Sequence, residues 1–113
     1  MVISFVNEEI KELCNSGLML DERYSLKDSS IIKRRLLQLS AANDLGEFSP
    51  EGCAPVKCQS LNGDHSKFKV PVNSKLHLVF SSSKHNESQV EKNWADITTI
   101  QIDDITELEN DIS

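Results

Sequence analysis

Apolar residues recur at helical spacing in the first half of the chain, after one short apolar run. Residues 2–6 are mostly β-branched or aromatic, which predicts a strand. Asn7 is a candidate N-cap, and the apolar stripe behind it predicts a first helix to about Ser16, ended by Gly17. Residues 18–28 fit no single pattern and are compatible with an early start of a second helix.

The second helix has the clearest periodicity in the sequence. Ile32, Leu36 and Leu39 follow one another at i, i+4 and i+7, and residues 28–30 offer capping side chains. The helix is predicted to run to about Ala42. Its polar side carries three adjacent bases, for which the pattern predicts a solvent-exposed position: Lys33, Arg34 and Arg35.

The second half of the chain alternates apolar runs with turn-forming residues. Residues 48–55 hold two prolines and a glycine and predict a loop, while 62–64 and 73–75 predict tight turns. Pro71 has no amide hydrogen, so it is expected at a sheet edge or a bulge. The runs between these turns predict strands at 56–61, 68–72, 76–81 and 96–102.

These elements predict one α+β domain in which an N-terminal strand and two helices pack on an antiparallel sheet. The domain is expected to span residues 1–105, followed by an acidic tail at 106–113. A chain of 113 residues with 38% hydrophobic and 27% charged residues suits a single folded domain. No apolar run approaches the roughly 20 residues that span a bilayer. The first residues soon turn acidic, so we expect no membrane contact and a cytoplasmic location.

Three cysteines are too few and too unevenly spaced to indicate a disulfide framework or a zinc site. Cys14, Cys53 and Cys58 form no C-x-x-C pair, and the three histidines do not complete a repeated ligand spacing. We therefore expect free thiols, no metal and no cofactor.

Charge is distributed unevenly along the chain, whose net charge is −6. Residues 57–85 hold five lysines and one aspartate, whereas residues 86–113 hold eight acidic residues and one lysine. A basic middle beside an acidic end can indicate an anionic partner such as nucleic acid. Charge alone favours the simpler interpretation, in which the two segments neutralise each other within the fold.

Several short motifs follow one another along the chain in a definite order. They are Arg35-Leu36-Leu37-Gln38-Leu39, Ala41-Ala42, Asp44-Leu45-Gly46-Glu47-Phe48, Leu61-Asn62-Gly63-Asp64, Val70-Pro71-Val72-Asn73, Leu76-His77-Leu78-Val79-Phe80 and Ile100-Gln101-Ile102-Asp103. In this order and spacing they resemble the RelE superfamily of ribosome-dependent toxins, and within it the HigB-like, or plasmid maintenance killer, branch. The resemblance covers most of the chain, from Ile3 to about Ile105.

The resemblance implies a RelE/HigB-like fold and a toxin of a type II toxin–antitoxin system that cuts mRNA on the ribosome. The implied chemistry is a metal-free transesterification in which the 2′-hydroxyl attacks the adjacent phosphate. It needs a base, an acid and cations from the protein. The implied partner is a small helix-turn-helix antitoxin of the HigA-like kind.

The sequence departs from the HigB-like pattern at the positions that carry this chemistry. Pro71 and His77 stand where the family has arginines on the two central strands, and His65 is the basic residue after the glycine–aspartate turn. The family's terminal aspartate-tyrosine-histidine is Asp103-Asp104-Ile105 here. The two aspartates are expected to be solvated, with orientation of a base as the alternative. The implied activity is weakened or lost unless other residues replace the missing groups.

Five residues form the candidate site. An imidazole can act as base or acid near neutral pH, and period-two spacing places the lysines at 67 and 69 on one strand face, where they can hold phosphates. The structural alternatives stay open: a half-exposed strand histidine without a role, and lysines that protect a sheet edge from aggregation. The candidate catalytic residues are His77 and Lys69, and the candidate RNA-binding residues are His65, Lys67 and Lys75.

Two other function classes are compatible with the sequence. One is a non-catalytic RelE-fold binding module that keeps binding to an antitoxin or another partner. The missing arginines, the missing histidine and the net charge of −6 favour it. The other is a ParE-like gyrase poison, which would share the fold and act by protein binding alone.

Overall fold

A computed structural model gives the fold of this chain. It describes residues 1–54, 56–61, 64–82 and 94–107, and for residues 64–66 the backbone only. No helix within these residues is long and apolar enough to cross a membrane. The described elements are β1 (Val2–Phe5), α1 (Glu8–Asn15), α2 (Gly17–Arg23), α3 (Leu26–Ala41), β2 (Gln59–Leu61), β3 (Asp64–Pro71), β4 (Leu76–Ser82) and β5 (Thr99–Glu107), with 3₁₀ turns at Leu45–Phe48 and Trp94–Asp96.

Ser16 separates two helices where the sequence predicts one helix and a stop. Its N–H donates to the Leu13 carbonyl and closes α1, while its Oγ accepts the Met19 N–H at 3.1 Å and caps α2. Gly17 therefore begins a helix instead of ending one, and the prediction of two helices is wrong. Asn7 caps α1 as predicted, because its Oδ1 accepts the Ile10 N–H at 2.9 Å.

The third helix, α3, begins earlier than the capping residues at 28–30 suggest. Ser25 caps it by accepting the Asp28 N–H at 3.1 Å. Ser29, the buried polar residue of the core, donates its hydroxyl to Asp21 Oδ1 at 2.6 Å and joins α3 to α2. The helix therefore does start early, as the pattern of residues 18–28 allowed. It carries Ile32 and Leu39 into the core as predicted.

Arg35 corrects the prediction of a solvated basic side on α3. It is half-buried, and its Nε donates to the Pro71 carbonyl at 2.8 Å while a terminal nitrogen donates to Gln38 Oε1 at 3.3 Å. Lys33 and Arg34 are exposed, as predicted. The guanidinium thus ties α3 to the end of β3, where Pro71 leaves a carbonyl but no amide hydrogen to pair.

The five strands form one mixed sheet with the order β1-β5-β4-β3-β2. The pairs β2–β3, β3–β4 and β4–β5 are antiparallel, whereas β1 pairs with β5 in parallel. The antiparallel sheet is therefore as predicted for four strands, whereas β1, predicted to pack on the sheet, joins its edge in parallel. Nearly the whole chain separates β1 from β5, so no tight turn imposes an antiparallel direction on that pair.

A bulge in β5 explains why the last strand runs past its predicted end. Ile100 and Ile102 alternate into the core, but the next buried isoleucine is Ile105, three residues later. The register shifts there, since Val79 pairs with Asp104 and Phe80 pairs with Ile102, which leaves Asp103 as the extra residue. The bulge restores the alternation, so β5 continues to Glu107, within the stretch predicted as the acidic tail.

The core lies between the helices and one face of the sheet. Phe68 and Phe80 are opposite each other on β3 and β4, with ring centroids 5.7 Å apart, and Trp94 meets Phe68 edge-on at 5.3 Å. The helices contribute four fully or almost fully buried side chains: Leu13, Leu20, Ile32 and Leu39. Alternation along the strands directs the intervening residues to the opposite face, which is largely polar but includes the buried Val79.

Asn73 organises the turn between β3 and β4. Its Oδ1 accepts the backbone N–H groups of Lys75 and Leu76, each at 2.8 Å, and its Nδ2 donates to Asp28 Oδ1 at 3.0 Å. One side chain therefore closes the central hairpin and attaches it to α3.

We expect Asn73→Ala to lower the free energy of unfolding by about 1–3 kcal/mol, because it leaves two turn amides and a carboxylate without their partner. Urea denaturation followed by circular dichroism measures this. Ser74→Ala, at the adjacent exposed position, is the matched control and should stay within about 0.5 kcal/mol of the wild type. Equal midpoints for the two variants would contradict this function of Asn73.

Candidate functional site

The predicted catalytic residues, Lys69 and His77, lie on the polar face of the sheet. In the central hairpin Lys69 is opposite Val79 and Pro71 is opposite His77, so Lys69 and His77 are diagonal neighbours on adjacent strands. Their neighbours Phe68 and Leu78 are fully buried on the core side. Strand alternation thus brings the two predicted catalytic side chains to one face.

His77 has the environment of a proton acceptor. Its side chain is half-buried, and its Nδ1 is buried without a hydrogen-bond partner among the described residues. Burial lowers the pKa of His77 below its ordinary 6.5, and the charge of Lys69 lowers this pKa further. The Lys75 backbone, which favours the protonated ring, offsets part of this. The imidazole is therefore neutral at pH 7 and can accept a proton.

Lys67 lies on the same face but shares its charge with an acid. Its Nζ is 3.8 Å from Asp103 Oδ2, and the Lys67 side chain is 48% exposed against 16% for Asp103. Gln101 Nε2 donates to the other carboxylate oxygen of Asp103 at 3.0 Å. The expectation that Asp103 is solvated is wrong, because the bulge in β5 turns this carboxylate onto the sheet face. Asp104 is exposed, as expected.

Lys75 is the other predicted site residue whose side chain the structure describes, and it is not on this part of the face. Lys75 is exposed in the β3–β4 turn, two positions before His77. His65 belongs to β3, but its side chain lies outside the described residues, so its assignment stays a prediction. His85 also lies outside them.

A groove at the turn end of the hairpin contains two cations that the sequence reasoning missed. Its volume is about 680 Å³, and it lies between the α2–α3 junction, the β3–β4 turn and the end of β5. Arg23 and Lys27 line it together with Lys75. No sequence signal connects these residues, because the first two lie in the stretch without a clear pattern and only the fold brings them to the hairpin.

Two of the three thiols lack the features of reactive or metal-binding cysteines. Cys14, Cys53 and Cys58 are free, and burial raises the pKa of Cys14 to about 11 and that of Cys58 to about 12. These two thiols stay protonated at neutral pH. Within the described part of the chain, no three histidine, cysteine or acidic side chains come together as a possible metal site.

The polar sheet face, with its histidine and lysines, is the basis on which function can be argued. Comparisons with family models, with curated proteins and with solved structures give no match. The HigB-like resemblance therefore stays a hypothesis, and the geometry around His77 is the independent observation that bears on it.

We expect the pKa of His77, measured by NMR titration of its ring protons, to lie below 6.5. Lys69→Gln should raise this pKa, because it removes a nearby positive charge, but burial keeps the value below the ordinary one. Lys11→Gln, an exposed lysine on α1, makes the same charge change and should leave the titration unaltered.

Stability should depend on pH through the same group. The folded state binds fewer protons than the unfolded chain where the His77 pKa is lowered, so this contribution is present above pH 6.5 and is lost as the pH falls through the folded pKa. His77→Gln should make the urea midpoint less dependent on pH between 6.5 and the pKa of His77 in the folded state. A wild-type His77 pKa at or above 6.5 would contradict the described environment.

Proposed function

We propose that this protein is a HigB-like toxin of a type II toxin–antitoxin system that cleaves mRNA on the ribosome. The observation that carries the proposal is the half-buried His77, which is a diagonal neighbour of Lys69 on the same sheet face. A neutral imidazole beside a cation supplies the base and the charge stabilisation that transesterification of RNA needs, but not the acid.

The proposed reaction is an in-line displacement at phosphorus without a metal ion. His77 accepts the proton of the 2′-hydroxyl, the 2′-oxygen bonds to the adjacent phosphorus, and the bond from phosphorus to the 5′-oxygen breaks. The products are a 2′,3′-cyclic phosphate and a 5′-hydroxyl, whose oxygen takes a proton from water. Lys69 stabilises the negative charge that accumulates on the phosphate oxygens.

Lysine in place of arginine sets the expected strength of this activity. An ammonium acts as a point charge, whereas a guanidinium holds two phosphate oxygens at once. Lys67 is also partly neutralised by Asp103. Arg35, the arginine beside the end of β3, is bonded to the Pro71 carbonyl, and Arg23 lies at the turn end of the hairpin. The proposed enzyme is therefore weaker than one with arginines at these positions.

The second candidate function is a non-catalytic RelE-fold module that binds a partner protein. The observation that favours it is Ile105, which is 6% exposed in the core at the position of the family's terminal histidine. Ile105 therefore supplies no acid, and its side chain is not directed to the polar face. The nuclease proposal thus rests on His77 alone as proton acceptor.

An apolar surface supports partner binding under either proposal. A groove of about 380 Å³ lies between β1, α1 and α3, with Ile3, Phe5 and Leu36 in its lining. Leu37 beside it is 69% exposed. Large exposed apolar side chains around a groove are typical of protein interfaces. The proposed occupant is a helix-turn-helix antitoxin of the HigA-like kind.

Induced expression tests the nuclease proposal. The wild type should slow growth and produce cleaved ends in ribosome-bound mRNA, mapped by primer extension. His77→Ala should reduce the cleavage rate about 10²-fold or more, the usual contribution of a general base, while Lys69→Ala should reduce it without abolishing it. Lys11→Ala is the control for loss of a surface lysine and should cleave like the wild type.

Absence of cleavage by the wild type would reject the nuclease and leave the binding module. Co-expression with the product of a neighbouring short helix-turn-helix reading frame, followed by co-purification, then tests partner binding. Leu37→Asp should abolish that complex if the apolar groove is the interface.

A further inference from the structure

The groove at the turn end of the central hairpin is separate from the His77 face and has its own chemistry. Its volume of about 680 Å³ lies within the range of sites that hold small ligands, about 300–1,000 Å³. It is bounded by the end of α2, the start of α3, residues 73–75 and the end of β5. Its shape alone does not define a ligand, but the side chains that line it do.

Three cations converge on this groove from different parts of the chain. Arg23 ends α2, Lys27 is in the first turn of α3, and Lys75 is in the hairpin turn. The ion pairs of the described residues are Lys33–Asp21 and Lys67–Asp103. The three groove cations take part in neither, so their charge is available to an anion.

Acidic side chains in the same groove reduce this charge without cancelling it. Asp28 accepts the Asn73 side-chain amide at 3.0 Å, which is part of the hairpin attachment. Glu107 is exposed at the end of β5. The lining therefore carries three cations and two carboxylates, in a protein whose net charge is −6.

Apolar groups line the groove beneath the cations. Tyr24 and Ile31 are half-buried there, and Leu76 and Ile105 are largely buried beside them. The Tyr24 hydroxyl donates to the Ile105 carbonyl at 3.4 Å, which orients the ring. A cationic rim over an apolar and aromatic floor suits a ligand with both a phosphate and a flat base.

The groove lies on the helix side of the sheet, whereas His77 is on the opposite face, and the two come nearest at the turn end of the hairpin. Thr106 lines the groove and lies directly opposite His77 in the β4–β5 pair. Lys75 also lines it and precedes His77 by two residues. An RNA strand with a phosphate at His77 would pass around the turn end of the hairpin to enter the groove.

We infer that the groove binds one nucleotide of single-stranded RNA. The phosphate lies against Arg23, Lys27 and Lys75, and the base lies on the floor that contains Tyr24. The RNA assignment rests on the proposed function, whereas the phosphate-and-base chemistry rests on the groove itself.

Fluorescence anisotropy with a labelled six-nucleotide RNA at low salt tests this inference. The double variant Arg23→Gln/Lys27→Gln should weaken binding about tenfold or more, as expected for two lost charged hydrogen bonds. The slope of log affinity against log salt should also fall by up to about 0.7, since the groove holds one phosphate and each phosphate contact to a single strand contributes about 0.7.

The matched control is Lys11→Gln/Arg34→Gln, which removes one exposed lysine and one exposed arginine elsewhere. Both double variants should unfold at the wild-type urea midpoint, which excludes misfolding as the cause. Equal weakening by the two double variants would overturn the inference, because non-specific attraction would then explain the binding.

Competition experiments identify the ligand class. An adenosine or uridine monophosphate should compete with the RNA more strongly than inorganic phosphate does, because the floor contacts the base. Equal competition by inorganic phosphate would overturn the nucleotide assignment. Binding of an acidic peptide as tightly as the RNA would also overturn it, in favour of a protein partner.

His77→Ala separates this inference from the proposed function. It should abolish cleavage yet leave RNA affinity within about twofold, because no groove contact is lost. RNA binding that depends on Arg23 and Lys27 without any cleavage would reject the nuclease and keep the groove. Cleavage that is unaffected by Arg23→Gln/Lys27→Gln, together with unchanged RNA affinity, would reject the groove and keep the nuclease.

Discussion

The pairing of Phe68 with Phe80 across the central hairpin is the interaction on which the arrangement of this protein depends. Both rings are fully buried and 5.7 Å apart. Because side chains alternate between the two faces of a strand, this pair directs Lys69 and His77 to the opposite face. A shift of one residue in either strand would exchange the faces, burying charge and exposing aromatic rings. The core packing therefore determines the composition of the candidate site.

The bulge in β5 is the second constraint, and it connects the core to the polar face. Without it, Ile105 would be out of phase with Ile102 and would lie on the polar side. With it, Ile105 enters the core, Asp103 comes within 3.8 Å of Lys67, and Thr106 lies opposite His77. One inserted residue thus completes the apolar layer and also brings a carboxylate next to a lysine of the polar face.

Local patterns were sufficient for the central hairpin and insufficient for elements that depend on partners. The two strands and their turn were predictable because period-two alternation and turn residues are local signals. The division at Ser16 depended on one hydroxyl serving as a new cap, and the parallel β1–β5 pair depended on strands almost a chain length apart. For the site, alternation grouped the lysines, but the Lys67–Asp103 pair required knowledge of the bulge.

The sequence by itself determined the alternation that separates core from polar face, the turn at Asn73, and the chemical types of the candidate site residues, because these depend on neighbours along the chain. Only the tertiary structure decided which charges are free. Arg35, expected in solvent, is bonded to the Pro71 carbonyl, whereas Arg23 and Lys27 meet Lys75 in one groove. The physical reason is that burial and charge pairing are set by distances in space between elements, and no local spacing encodes those distances.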